Sequence, residues 1–217
     1  MSAIRRLFGK FRSVPSAAKK SAEVTGASIE WVIAGLGNPG EEYARSRHNM
    51  GFFTIDRMAK AHGIELSRRK FKGQAAEIDI AGHPVMIVKP QTFYNLSGEC
   101  ISSLLGYFKV PPNRLIVIHD ELDLEAGRIR VKQGGSDAGN RGVRSIAQSL
   151  STPDFVRVRV GVGRPPGHEQ GKDYVLKPMT RGEIEALGPI LDRAADAAAA
   201  VMDDGLERAM NVYNQRV

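Results

Sequence analysis

A single cysteine, Cys100, occurs in the 217 residues. It can close no internal disulfide, and no second cysteine is present to begin a C-x-x-C zinc set, so the chain reads as a cytoplasmic protein. Long hydrophobic runs are also missing. No stretch approaches the roughly 20 apolar residues that cross a bilayer, and the apolar residues near the start are too scattered for a secretory signal. A soluble chain without membrane contact is expected. Acids are absent before Glu23, whereas Arg5, Arg6, Lys10, Arg12, Lys19 and Lys20 crowd that stretch among Ser and Ala. Such a composition cannot bury a core. Residues 1–28 are therefore expected to form a basic, disordered tail, either a plain solvated appendage, a nucleic-acid arm or an organelle-targeting segment. Finally, no G-x-S-x-G is present to supply a serine nucleophile, and no H-x-x-x-H to hold a metal.

The remainder, 29–217, is long enough for one substantial core, and 42% of the whole chain is hydrophobic. A formal charge of +7 and a pI near 9.7 would draw in a large anionic partner. They permit nucleic acid without requiring it.

The run Trp31 to Ala34 predicts a buried strand feeding the glycine loop Gly35 to Gly40. Phe52, Ile55, Met58 and Ala59 recur at helical spacing, with Gly63 placed to end the helix. Strands over about 74–80 and 85–88 are joined by the turn residues 81–84. A helix is expected over about 97–108. The cleanest strand is Leu115 to Ile118, ending in His119-Asp120-Glu121, and a short one follows over 128–132. The glycine-rich stretch Gly134 to Gly142 leads into another helix. Over 155–161, Arg157 and Arg159 alternate with valines, which predicts one apolar and one basic face. The Ala-rich segment 181–211 reads as helical. Strands interleaved with helices predict a single α/β domain with a mixed, mainly parallel central sheet flanked by helices on both faces.

Gly35, Gly37 and Gly40 formally satisfy the dinucleotide fingerprint, but the loop runs on past the third glycine, and Glu41-Glu42 would repel a pyrophosphate. These glycines read instead as backbone clearance beside a substrate. Between that strand and the next helix lies Tyr43-Ala-Arg-Ser-Arg47-His48-Asn49. A lone loop histidine is commonly structural. Asp120, however, sits at the exit of the central strand, where α/β sheets place their sites, and a carboxylate on one imidazole nitrogen leaves the other free to take a proton. Without a covalent nucleophile, such a pair implies an activated water that cleaves an ester. His119, Asp120, Glu121 and Asp123 are the metal alternative, but strand alternation sends His119 and Asp120 to opposite faces, so no metal is expected. Asn95 and Ser97 read either as helix caps or as amide and hydroxyl donors to a substrate carbonyl. Cys100 reads as packing, and His62, His83 and His168 as structural.

The ordered strings Gly35-Leu-Gly-Asn-Pro-Gly40, Tyr43, Arg47-His48-Asn49-x-Gly51, Lys89-Pro-x-Thr-Phe-x-Asn95-x-Ser-Gly98 and His119-Asp120-Glu-Leu-Asp123 resemble the bacterial-type peptidyl-tRNA hydrolase family. The similarity runs on through Gly127 to Gly134, Arg159 to Pro165 and Tyr174-Val-Leu, from about Ile29 to Asn211. It implies a monomeric α/β enzyme that needs no cofactor and no obligate protein partner. Such an enzyme hydrolyses the ester between a stalled peptide and the tRNA 3′ ribose, returning tRNA to translation. By position, His48 matches the family's base and Asp120 its orienting acid. Asn38 and Asn95 match the amides that hold peptide main chain and scissile ester, and Tyr43 the aromatic residue near the tRNA terminus.

Two departures stand beside these matches. The family commonly reads Gly-His-Asn-Gly where this chain reads Gly139-Asn140-Arg141-Gly142, and Tyr94 replaces the usual methionine. Arg141 would suit a phosphate, and Tyr94 would form a larger wall that narrows the peptide cleft. Arg45, Arg47, Lys132, Arg141 and Arg144 are the expected tRNA contacts, about half of them in use, reading backbone and shape rather than base sequence. A noncatalytic RNA-binding relative of the same fold is the alternative.

Overall fold

The computed structural model describes residues 28–66, 68–165 and 170–215, with 68–70 as backbone alone. The expected tail, through residue 27, and His168 lie outside the described residues.

Strand β1 (Trp31–Gly35) runs at the centre of a seven-stranded sheet of order β2-β3-β4-β1-β5-β7-β6. Its parallel neighbours are β4 (His83–Pro90) and β5 (Leu115–Glu121), and β7 (Val156–Gly161) pairs parallel to β5. The margins are antiparallel: β3 (Gly73–Ile80) on β4, β2 (Arg68–Lys70) on β3, and β6 (Ile129–Gln133) on β7. Helices cover both faces, as expected. Against one face lie α1 (Met50–Ala61), α6 (Gly188–Asp203) and α7 (Leu206–Tyr213), where Met50, Ile55, Ala194 and Ala198 pack on Ile33, Ile116 and Ile118. Against the other, α2 (Ser97–Phe108) and α3 (Arg141–Leu150) bring Ile101, Leu104, Val143 and Ile146 onto Val32, Ala34 and Val117. A strand covered on both faces has no solvent side, which is why Leu115 to Ile118 is a continuous apolar run. All of β5 is buried, including His119, Asp120 and Glu121, so the strand carries three polar residues past its expected end.

Several boundaries differ from the sequence expectation. The β3–β4 turn is only Ala81-Gly82, both at positive φ (53° and 86°), the two-residue geometry that matches strand twist, so His83 and Pro84 belong to β4. The short strand expected over 128–132 forms one residue later. The alanine-rich segment is three helices, since α5 (Arg181–Ala186) stops where Pro189 opens α6, and Gly205 at φ 88° turns the chain into α7. Ahead of them, between β7 and α5, lies a further short helix, α4 (Gly171–Leu176), that the sequence pattern does not predict. The arginines of β7 do lie opposite its valines, but they are not a solvated basic face. Arg157 is buried and donates to the carbonyls of Gly134 and Ser136, while Arg159 is paired with Glu121 at 2.8 Å.

Cys100 packs inside α2, where a Cβ placed on Gly73 would meet its sulfur at 2.8 Å. Burial pushes the thiol up to about 12. Since the thiolate is the nucleophile, iodoacetamide at about pH 8 is expected to leave Cys100 unmodified in the folded protein and to label it fully in concentrated guanidinium, as read by intact mass. Labelling at equal rates in both would refute the packing.

Two glycines decide how the first helix meets the sheet. A Cβ on Gly35 would lie 2.2 Å from the carbonyl oxygen of Gly51, and one on Gly51 would lie 2.1 Å from the backbone nitrogen of Leu36. One on Gly37 would strike the Phe52 ring at 2.6 Å. The clearance read at Gly35 and Gly37 as space for a substrate is therefore filled by the chain's own helix. The close approach sets the turn that precedes α1 directly over the carboxyl ends of β1 and β5.

Candidate active site

That turn, Arg47–Asn49, carries His48. His48 Nδ1 lies 3.0 and 2.9 Å from the two carboxylate oxygens of Asp120, although 72 positions separate the residues. Burial by itself would push the Asp120 carboxyl up. The charge and hydrogen bond of His48, together with the Tyr94 hydroxyl and His119, outweigh it and hold the group below the usual carboxylate range. An ionised Asp120 accepts from Nδ1–H and so fixes the tautomer in which Nε2 carries a lone pair.

Both residues line a cleft of about 820 Å³ beyond the strand ends, together with Asn38, Tyr43, Tyr94, Asn95, Asn140 and Arg141. The lower walls are Glu121, Leu122 and Asp123, and α4 supplies Gly171, Lys172, Val175 and Leu176. The latter group had no signal in the sequence beyond the Tyr174-Val-Leu string.

Asn38 is buried, and its Oδ1 accepts from the Tyr94 backbone N–H at 2.8 Å, which leaves its NH₂ as the end free for a ligand. Asn49 holds that loop in place. Its Oδ1 takes the Asn38 N–H at 2.8 Å, and its Nδ2 donates to the carbonyls of Asn38 and Tyr43 at 3.1 and 2.9 Å. The sequence placed Asn49 in the loop but carried no sign of this bracket. Asn95 is exposed on the cleft wall and caps nothing. The residue before α2 is Leu96, without a side-chain cap, and Ser97 Oγ donates to the Tyr94 carbonyl at 2.8 Å. The capping reading of Asn95 and Ser97 is corrected: a single turn of 3₁₀ helix over Tyr94–Leu96 precedes α2, with the Tyr94 carbonyl accepting the Ser97 N–H, and Ser145 Oγ accepts the Gly98 N–H at 3.0 Å. The cap of the next helix is instead Asn140, whose Oδ1 accepts from the Val143 N–H at 3.0 Å.

Tyr94 is not a wall of the cleft alone. Its ring stacks on His48 with centroids 3.5 Å apart and planes 11° from parallel, and its hydroxyl donates to Asp120 Oδ1 at 2.8 Å. Burial and the Asp120 charge hold the phenol well above its ordinary range, so it stays a donor. His119 makes no hydrogen bond to the Asp120 carboxylate; its Nδ1 lies 2.7 Å from the Asp120 backbone carbonyl and 3.3 Å from Asn140 Nδ2, and burial lowers its basicity. Among the described residues no group of three His, Cys, Asp or Glu side chains is placed to hold a metal ion.

The expected RNA-facing cations divide. Arg141 is exposed on the cleft, and Arg45 is exposed but does not line it. Arg47 is not free: it pairs with Glu183 and lies over the Tyr174 ring, tying the histidine turn to α4 and α5. Arg144 chelates Asp137 with two bonds of 3.1 Å and stands outside the cleft. Lys132 is also outside, in register with Arg157 across the sheet margin, next to the pair Arg130 and Arg159. Burial, then Arg157, Arg159 and Arg130, lowers its affinity for a proton. The sequence singled out Lys132 but not the row it belongs to.

Residues 32–217 match the family model for peptidyl-tRNA hydrolase. The chain belongs to the peptidyl-tRNA hydrolase family. Among its relatives, the peptidyl-tRNA hydrolase of Chloroflexus aurantiacus is 45% identical over 185 residues, covering 85% of this chain and 98% of that protein. The one of Carboxydothermus hydrogenoformans is 44% identical with the same coverage. Among solved structures, the peptidyl-tRNA hydrolase of Acinetobacter baumannii superimposes with a TM-score of 0.77 at 34% identity, over 86% of this chain and 95% of that one. Within this peptidyl-tRNA hydrolase fold, His48 comes from the loop after β1 and Asp120 from β5, and the glycine-rich stretch lines the same cleft with Gly139, Asn140 and Arg141.

Proposed function

We propose that this chain hydrolyses the ester joining a peptide to the 3′ ribose of tRNA, with His48 activating the water. The observation that carries the reading is the contact of His48 Nδ1 with the buried Asp120 carboxylate, set in an open cleft between two asparagines. In this mechanism a water sits between Nε2 and the ester carbonyl. As it attacks, its proton passes to Nε2, and Asp120 stabilises the imidazolium that forms. The amide of Asn95 donates to the developing oxyanion, and Asn38 holds the peptide main chain. The imidazolium then returns its proton to the departing ribose oxygen. Tyr43, at the mouth, meets the terminal adenosine.

A binding protein without catalysis would have no use for a base and an acid held in this way, which disfavours that alternative. A monomeric state is part of the same proposal, and no helix among the described residues is long and apolar enough to cross a membrane. We assign 29–217 to the catalytic domain, a reading supported by a family match that starts at residue 32, and 1–28 to an appended basic tail. The cytoplasm is its proposed compartment. The tRNA backbone would run from Arg141 at the cleft, with the exposed Arg45, toward the basic row Arg130 and Lys132 on β6, with Arg144 engaged only if it leaves Asp137.

Purified protein incubated with an N-blocked aminoacyl-tRNA is expected to release the blocked amino acid catalytically, and a chelator is expected to leave the rate unchanged. With about three phosphate contacts, substrate affinity should fall roughly 20- to 40-fold between about 50 and 200 mM salt. Absence of turnover would overturn the proposal, and a salt-insensitive KM would remove the basic row from it.

A further inference from the structure

The two positions at which this chain departs from the family pattern beside the dyad, Tyr94 and Asn140, touch each other. Asn140 Nδ2 donates to Tyr94 Oη at 2.9 Å, and Tyr94 Oη donates to Asp120 Oδ1 at 2.8 Å. The same Oδ1 accepts from His48 Nδ1 at 3.0 Å. A methionine at 94 could make neither hydrogen bond.

We propose that Tyr94 is a positioning residue for the base. Its hydroxyl, held by Asn140, shares the Asp120 carboxylate with His48, while its ring lies flat on the imidazole and keeps Nε2 aimed into the cleft. This rests on the reading of His48 as the base.

The direction of the chain of bonds follows from what each group has left to give. The Asn140 Oδ1 is occupied by the Val143 N–H at the start of α3, so its NH₂ is the end turned toward Tyr94. The phenol oxygen accepts that N–H, and its own proton is then directed at Asp120. Asp120 is 4% exposed and needs donors in place of water. With two of them, its negative charge is divided between an imidazole and a phenol. Without the phenol it would all fall on His48, holding a proton on the imidazole more tightly and leaving the free base available only at higher pH. The other charged or titratable groups around the carboxylate are His119 and Glu121 on its own strand and Arg157 and Arg159 on β7. None of these donates to its side-chain oxygens. The stacked ring adds a second constraint, because an imidazole held only by its Nδ1 bond can pivot about it. Together the two contacts connect α3, through Asn140, to the orientation of the base.

The test is Tyr94→Phe, which keeps the stacked ring and removes only the hydroxyl, alongside Asn140→Ser, which keeps a good helix cap but cannot reach the phenol. Tyr94→Phe is expected to lower kcat about tenfold with KM changed less than about twofold, and to move the acid limb of the pH–rate profile upward by roughly half a unit to one unit. Asn140→Ser should move both in the same sense, and the double variant should lose no more than the larger single loss, as for residues acting through one another. A substrate-free readout accompanies these: two-bond ¹H–¹⁵N spectra of the histidine rings, in which the His48 titration midpoint should rise in Tyr94→Phe. If the unaltered protein hydrolysed no ester, the proposed function would fall while the spectra still decided this point. Unchanged kcat and an unchanged His48 titration would reduce Tyr94 to packing, and an effect confined to KM would make it a cleft wall; either result overturns the proposal.

Discussion

Alanine at position 48 is expected to lower kcat for peptidyl-tRNA hydrolysis by on the order of a thousandfold, equivalent to about 4 kcal/mol of transition-state stabilisation. KM should change by less than about threefold, because the groups proposed to grip peptide and tRNA are elsewhere: Asn38, Asn95, Arg141 and the cations Arg130 and Lys132 on β6. The loss is large because two effects vanish together. Among the described residues, no other group lining the cleft pairs a free basic nitrogen with a fixed orientation: Lys172 is a cation, Glu121 is paired with Arg159, and Asp120 is occupied by its two donors. The fold should survive, because the His48 side chain is 19% exposed and Asp120 keeps the Tyr94 hydroxyl. Steady-state kinetics with an N-blocked aminoacyl-tRNA, with circular dichroism as the folding control, measures this. A variant that turned over within a few-fold of the parent would dismiss His48 as the base.

The second large effect is on stability. Gly51→Ala adds one methyl group, yet that carbon would lie 2.1 Å from the Leu36 nitrogen and 2.4 Å from the Ile118 carbonyl oxygen. Both are backbone atoms and already bonded to each other, the Leu36 N–H donating to Ile118 O at 2.9 Å. No rotamer change relieves the clash; α1 must lift off the ends of β1 and β5. A cost on the order of 3 kcal/mol or more is expected, a large part of the stability of a domain this size. Urea denaturation should show a lower midpoint at an unchanged slope. Activity should fall as well, because His48 rides on the turn leading into that helix. Gly106→Ala is the control, since it sits exposed in α2 with nothing within 4 Å of the new carbon and should be neutral or stabilising by up to about 1 kcal/mol. Equal stability of Gly51→Ala and the parent would show that the helix does not need this close approach.

Both predictions begin with features visible in the sequence and end with distances that are not. The strand over 31–35, the helix over 97–108 and the central strand are written in apolar periodicity and turn residues, because local spacing and backbone preference decide them. The breaks in the C-terminal helices were equally present, in Gly188-Pro189 and Gly205, but the alanine content masked them. The chemistry of a histidine and a carboxylate at strand ends is likewise legible, since residue type sets what can accept a proton.

What the sequence determined by itself was therefore the class of fold, its elements to within a few residues, and the ordered motifs that carry the family. The tertiary structure decided who partners whom. It took Arg47 and Arg144 out of the free cations by pairing them with Glu183 and Asp137, and it moved Asn95 from cap to cleft wall. It also turned Tyr94 from a wall into a donor to Asp120. The physical reason is that these pairings join residues as far as 136 positions apart, and their geometry depends on strand order and on how closely a helix can approach a sheet. Gly35 and Gly51 set that approach. Only when their two backbones meet does His48 lie over Asp120.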